Sequence, residues 1–149
     1  MSFTHRFFPG SGLEPRVAIV FHGTGGDENS LVPFAQTLLP EARILSLRGR
    51  VLENGMPRFF RRFAEGVFDY ESIESEAVAV AEFLRAIALE REFELGESVA
   101  IGYSNGANMA WSALLAALVL LMLVGSERTG QPSLRDALGE LRRRAGFLV

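Results

Sequence analysis

Ser98-Val99-Ala100-Ile101-Gly102-Tyr103-Ser104-Asn105-Gly106-Ala107 is the stretch that decides how this chain is read. Residues 98–101 form an apolar, strand-like run, and a helix-like run opens at Ala107. Between them lies a G-x-S-x-G turn, Gly102 to Gly106, centred on Ser104. Such a pattern is common by chance. Set between a strand and a helix it reads as a nucleophile elbow. The two glycines permit a tight, strained turn that lifts the serine hydroxyl clear of both elements. Ser104 is therefore the candidate nucleophile for acyl transfer.

A second motif supports the first. Val17-Ala18-Ile19-Val20-Phe21 is unbroken apolar sequence, the mark of a buried parallel strand. It runs into His22-Gly23-Thr24-Gly25-Gly26. Acyl transfer needs N–H groups aimed at the oxygen that becomes negative in the tetrahedral intermediate. A Gly-rich loop at the end of a central strand supplies one donor, and the residue after the serine supplies the other. The expected donors are the N–H groups of Thr24 and Asn105. A phosphate cradle is the competing reading of the loop, but a Walker-type loop requires a lysine and the chain has none.

These residues resemble the α/β-hydrolase superfamily, in its phospholipase/carboxylesterase (acyl-protein-thioesterase-like) branch and most of all the MhqD-type bacterial carboxylesterases. The matching segments are Val20-Phe21-His22-Gly23-Thr24-Gly25-Gly26-Asp27-Glu28, Ile44-Leu45-Ser46-Leu47-Arg48-Gly49-Arg50, Glu53-Asn54-Gly55-Met56-Pro57-Arg58-Phe59-Phe60-Arg61-Arg62 and Ala100-Ile101-Gly102-Tyr103-Ser104-Asn105-Gly106-Ala107-Asn108. The block from Arg48 to Arg62 is more specific than either short motif. The resemblance implies an α/β fold, a mostly parallel sheet flanked by helices. It also implies hydrolysis of a small-molecule ester or thioester through an acyl-serine. His22, Gly23 and Gly25 would shape the oxyanion loop. Arg58, Phe59 and Phe60 would lie near the site mouth, as a substrate-pocket wall; a loop whose phenylalanines pack on the sheet while its arginines stay wet is the equal alternative.

The chain departs from the family in its triad, whose order is serine, acid, histidine. Its two histidines, His5 and His22, both precede Ser104. Residues 119–125 resemble the strand that carries the acid, yet the G-x-x-D slot counted from Gly125 holds Arg128. Glu127 is one residue out of register, and Asp136 lies in a helix-like tail as a surface charge. No Gly, Pro or Asn interrupts residues 114–120, so the connection between helix and strand is expected to be lost. The expectation is an incomplete, C-terminally truncated α/β-hydrolase domain over 1–149 with weak or absent turnover. A non-catalytic relic or fragment that binds a ligand or needs a partner chain is the alternative.

Composition narrows the partners. Zero cysteine excludes disulfides and thiolate chemistry, and two distant histidines argue against a zinc site. A net charge of −3 without a basic, aromatic-laced stripe gives no reason to expect nucleic acid. No cofactor and no metal is expected. Residues 107–125 are apolar enough to raise a membrane reading, but their place behind the elbow favours a buried helix followed by a buried strand. The N-terminus lacks a secretory pattern, so a cytoplasmic location is expected, with self-association through an open sheet edge. The remaining elements are a helix over 30–39, a strand over 43–47, a long loop over 49–69, and a helix over 72–93 capped by Ser72. That helix is expected to bury Ile73, Ala77, Val80, Ala81, Leu84 and Ile87.

Overall fold

The computed structural model describes residues 3–11 and 16–127, with 120–127 as backbone. Its centre is a four-stranded sheet built from β1 (His5–Phe8), β2 (Val17–Phe21), β3 (Arg43–Leu47) and, last in the chain, β8 (Val99–Gly102). The spatial order is β1-β3-β2-β8. The β3–β2 and β2–β8 pairs are parallel, and β1 lies antiparallel on β3.

Alternation along β2 explains its unbroken apolar sequence. Val17, Ile19 and Phe21 face one side, packed with Leu45 and Leu47 under α2 (Tyr70–Glu90) and α3 (Asn105–Glu127). Ala18 and Val20 face the other, with Ile44 against Ala35 of α1 (Val32–Leu38). A strand covered on both faces has no solvent side to show a polar residue. The expected mostly parallel sheet flanked by helices is present. β8 stands at one edge of it.

The segment read as a long loop contains two small hairpins. β4 (Val51–Glu53) pairs with β5 (Met56–Arg58), and β6 (Arg62–Ala64) pairs with β7 (Val67–Phe68). Asn54 and Gly55, both with positive φ, form the two-residue link of the first hairpin. Asn-Gly is the strongest short hairpin signal, and the sequence held it.

Helix boundaries required three corrections. The 72–93 helix begins at Tyr70, and its N-cap is Asp69, whose carboxylate accepts the Ser72 N–H at 3.0 Å. Asp69 also pairs with Arg61, which anchors it better than a serine hydroxyl at position 72. The helix ends at Glu90, where the Phe93 N–H returns to Ala88 O. Its expected inner face holds: Ala77, Val80, Ala81 and Ile87 are buried, with Ile73 and Leu84 packed beside them. The helix expected over 30–39 is shorter, 32–38. The third correction is larger. The strand expected over 119–125 is helix, because α3 continues without a break to Glu127. Arg128, Asp136 and the tail helix lie outside the described residues.

Candidate active site

Ser104 sits between β8 and α3, exposed, with φ of +51°. A non-glycine residue there pays a steric cost that the surroundings must hold in place. They do so at three points. Tyr103 N–H donates to Phe21 O (3.1 Å), Gly106 N–H donates to Tyr103 O (2.9 Å), and Ser104 O accepts from Ala107 N–H (3.0 Å). The glycines on either side are required by close approach. A Cβ on Gly102 would stand 2.7 Å from Ala107 Cα, and one on Gly106 would stand 2.2 Å from Phe21 O. The serine therefore rests at the N-terminus of a 23-residue helix, where the dipole favours negative charge.

The β2–β8 register pairs Phe21 with Gly102, so the loops leaving the two strands lie side by side. The N–H groups of Thr24 and Asn105, one from each loop, donate to no acceptor among the described residues. Gly25 has φ of +79°, and its N–H is fixed on Pro57 O at 2.9 Å. A side chain on Gly23 would strike the Tyr103 ring at 2.8 Å, which keeps the two loops in contact.

His22 is almost fully buried, 1% exposed. Its Nδ1–H donates to Gly23 O (2.6 Å) and its Nε2 accepts Gly49 N–H (2.9 Å). Both ring nitrogens are engaged, which fixes one neutral tautomer. Burial pushes its pKa below the ordinary value, against smaller opposing contributions from the Gly23 hydrogen bond and Asp27. The ring braces the loop and has no lone pair left for a serine proton. His5 belongs to the opposite edge strand. It shares a row with Leu47, Phe21 and Gly102, three strand spacings from β8, on the order of 14 Å. Its Nδ1–H donates to Phe3 O.

Arg58, Phe59 and Phe60 match neither reading of their loop in full. Phe59 and Phe60 are 1% and 0% exposed and belong to the core, with Phe59 against Phe21 and His22. Their rings pack inward with the sheet and helices. Arg58 is not wet either: it is 2% exposed and donates to Thr24 Oγ1 (2.7 Å), Phe60 O (3.2 Å) and Glu53 Oε2 (3.3 Å). Arg61 is exposed, and Arg62 pairs with Glu53.

The sequence reading missed the side chain of Asn105. It is buried, and its Oδ1 accepts the Phe59 N–H at 2.7 Å. Its amide nitrogen is buried without a partner among the described residues, a cost of about 1–3 kcal/mol. No spacing rule announces such a contact. A second missed feature is the Glu28–Arg48 pair, bidentate, with one arm at 2.9 Å and Asp27 nearby. It ties the loop after β2 to the end of β3. Arg48 holds the Glu28 carboxyl below the usual range.

A groove of about 490 Å³ runs between α2, α3 and β8, lined by apolar residues that include Ile19, Leu84, Ala100, Trp111 and Leu114. Trp111, Leu114, Leu115 and Leu118 remain exposed on α3. Among the described residues, no group of three or more His, Asp or Glu is placed to hold a metal ion. None of the described helices is long and apolar enough to cross a membrane.

No protein-family model matches the chain. Individual relatives do. It is 44% identical over 103 residues to the Bacillus subtilis (strain 168) protein named "Putative hydrolase MhqD", a match covering 69% of this chain and 52% of that one. The crystal structure of the Bacillus cereus carboxylesterase is 50% identical with a TM-score of 0.72, covering 75% of this chain and 53% of the esterase. A Mesorhizobium loti carboxylesterase gives 34% identity and a TM-score of 0.71, over 76% of this chain and 54% of its own. The chain thus spans about half the length of the relatives it matches. Sharing sequence and fold with these proteins, the chain belongs to the carboxylesterase-related branch of the α/β-hydrolase family.

Proposed function

We propose that this chain carries the nucleophile half of a serine hydrolase acting on small-molecule carboxylic esters or thioesters. The observation that supports this most is the strained Ser104 on a turn next to the loop after β2, with the N–H groups of Thr24 and Asn105 donating to no acceptor among the described residues. Ser104 Oγ attacks the acyl carbon and loses its proton, and the two N–H groups stabilise the oxyanion. The C–O or C–S bond then breaks, the leaving group departs protonated, and water hydrolyses the acyl-serine.

The proton step limits the rate. Neither histidine in the sequence serves Ser104 within this chain, since His22 is fully engaged and His5 lies across the sheet. A serine hydroxyl without a base is a weak nucleophile. An oxyanion hole alone retains roughly 10³–10⁴-fold acceleration over water, so the 149-residue chain turns over esters feebly. The test is p-nitrophenyl butyrate hydrolysis by the wild type and Ser104→Ala at matched concentration. A slow rate that disappears in the variant supports the reading. Equal rates in both proteins overturn it.

A second reading has its own observation. The edge of β8, unpaired among the described residues, and the exposed apolar residues of α3 favour association, either with another copy or with a chain that completes the triad. Size-exclusion chromatography with light scattering checks this, and a monomer at high micromolar concentration refutes self-association.

A further inference from the structure

Residues 48–60 grip the proposed site at four places. Gly49 N–H donates to His22 Nε2, and Pro57 O accepts Gly25 N–H. The Arg58 guanidinium donates to Thr24 Oγ1, and Phe59 N–H donates to Asn105 Oδ1. Three consecutive residues, Pro57, Arg58 and Phe59, thus reach both of the loops that present unused N–H groups. Gly49 is pressed against the same peptide: a Cβ there would lie 2.3 Å from the Arg58 carbonyl. The hairpin cannot slide without moving the loop it holds.

Arg58 stands out within this grip. A cation almost fully buried costs several kcal/mol unless it is paired and hydrogen-bonded. Glu53 compensates the charge from the facing strand of the hairpin, at 3.3 Å. The Nε–H on Phe60 O fixes the plane of the guanidinium. The shortest of its bonds, 2.7 Å, is spent on the Thr24 hydroxyl. A hydroxyl in a half-exposed loop finds water without help, so this bond restrains the loop and does not rescue a stranded polar group.

We propose that Arg58 is a positioning residue for the oxyanion hole: by holding Thr24 Oγ1 it fixes the direction of the Thr24 N–H, while the adjacent Phe59 N–H fixes Asn105. The proposal rests on the serine-hydrolase reading for its catalytic meaning. Its structural content, a clamp between the β4–β5 hairpin and the loop after β2, stands apart from turnover. Arg58, 2% exposed, acts through Thr24.

The test uses the full chain and three variants. Thr24→Val removes the acceptor while keeping the shape, Thr24→Ser keeps the acceptor, and Arg58→Lys keeps the charge but not the fork. Two readouts are taken, amide hydrogen exchange of Gly25, whose N–H is held on Pro57 O, and the rate at which an alkyl fluorophosphonate modifies Ser104, followed by intact mass. Thr24→Val and Arg58→Lys are expected to speed exchange and to slow labelling by up to about 10²-fold, the size of a misplaced catalytic dipole. Thr24→Ser should retain both, and the Thr24→Val/Arg58→Lys double variant should lose no more than either single change. Unchanged exchange in Thr24→Val, or losses that add in the double variant, overturn the clamp. No adduct on wild-type Ser104 instead sinks the serine-hydrolase reading, and the exchange data then still decide the clamp.

Discussion

Gly106→Ala is the perturbation that most directly tests whether β2 and α3 meet as described. A Cβ at this position would lie 2.2 Å from Phe21 O, 2.3 Å from His22 O and 2.6 Å from Phe21 C, where real contacts do not fall below 3.0 Å. None of these atoms belongs to a flexible side chain. Phe21 ends a strand whose five residues are all buried, and its carbonyl already receives the Tyr103 N–H. Relief therefore requires α3 to back away from the sheet. Overpacking of this kind costs about 1–3 kcal/mol and more where backbone must move. Helix propensity argues the other way. At an unobstructed position in the first turn, glycine to alanine would gain up to about 1 kcal/mol. The sign of the change thus separates the two views. For a chain of this size, a net loss near the upper end lowers the melting midpoint by roughly 5–10 °C. Thermal unfolding followed by near-ultraviolet circular dichroism measures it, with Gly96→Ala, which meets nothing within 4 Å, as the control. A Gly106→Ala protein that melts at or above the wild type refutes the packing of elbow on strand.

Two further outcomes follow from the site. Ser104→Gly should be more stable than Ser104→Ala by about 1 kcal/mol, because only glycine relieves the positive φ; equal melting midpoints would show that no strain is stored there. The imidazole ¹⁵N spectrum of His22 should show the Nδ1–H tautomer at pH 7 and titrate below the ordinary value of 6.5, as burial requires. With its folded pKa depressed, its contribution to stability is full above 6.5 and is lost as pH falls through the folded value. A His22 that is charged at pH 6.5 would contradict the buried acceptor role of Nε2.

The sheet and the strand–turn–helix around Ser104 were legible because short-range rules govern them. An unbroken apolar run can only be a strand covered on both faces or part of a buried helix, and the glycines after residue 21 stop it at strand length. The G-x-S-x-G turn advertises its own backbone. Residues 114–125 were less decidable. Leucine, alanine and methionine outnumber valine there, so helix propensity favours continuation, and no Gly, Pro or Asn opposes it before Gly125. Family order suggested a strand, and local chemistry prevailed in α3. The cap of α2 failed for a different reason. Asp69 and Ser72 are both capping residues, and only the Arg61 contact, made through space, favours the aspartate. The role of Arg58 was hidden in the same way. Sequence shows an arginine among phenylalanines and cannot show which of them turn inward.

The positive φ of Ser104 also bears on what kind of chain this is. Among the described residues, two other non-glycine residues share that conformation, Asn54 and Glu92. Asn54 is a hairpin residue that tolerates it, and Glu92 closes α2 where the chain must reverse. Serine at 104 has neither excuse. Glycine would serve the turn at lower cost, and the adjacent glycines show that the position is crowded enough to demand small residues. A hydroxyl held there at an energetic loss, at the head of α3, is hard to explain by folding alone. The same reasoning applies to Asn105, whose amide nitrogen goes unpaired while its oxygen holds the Phe59 peptide. Both costs fall on adjacent residues of one turn. Both costs fit the proposed acyl-transfer role, in which one oxygen and nearby N–H groups must be held in fixed relation.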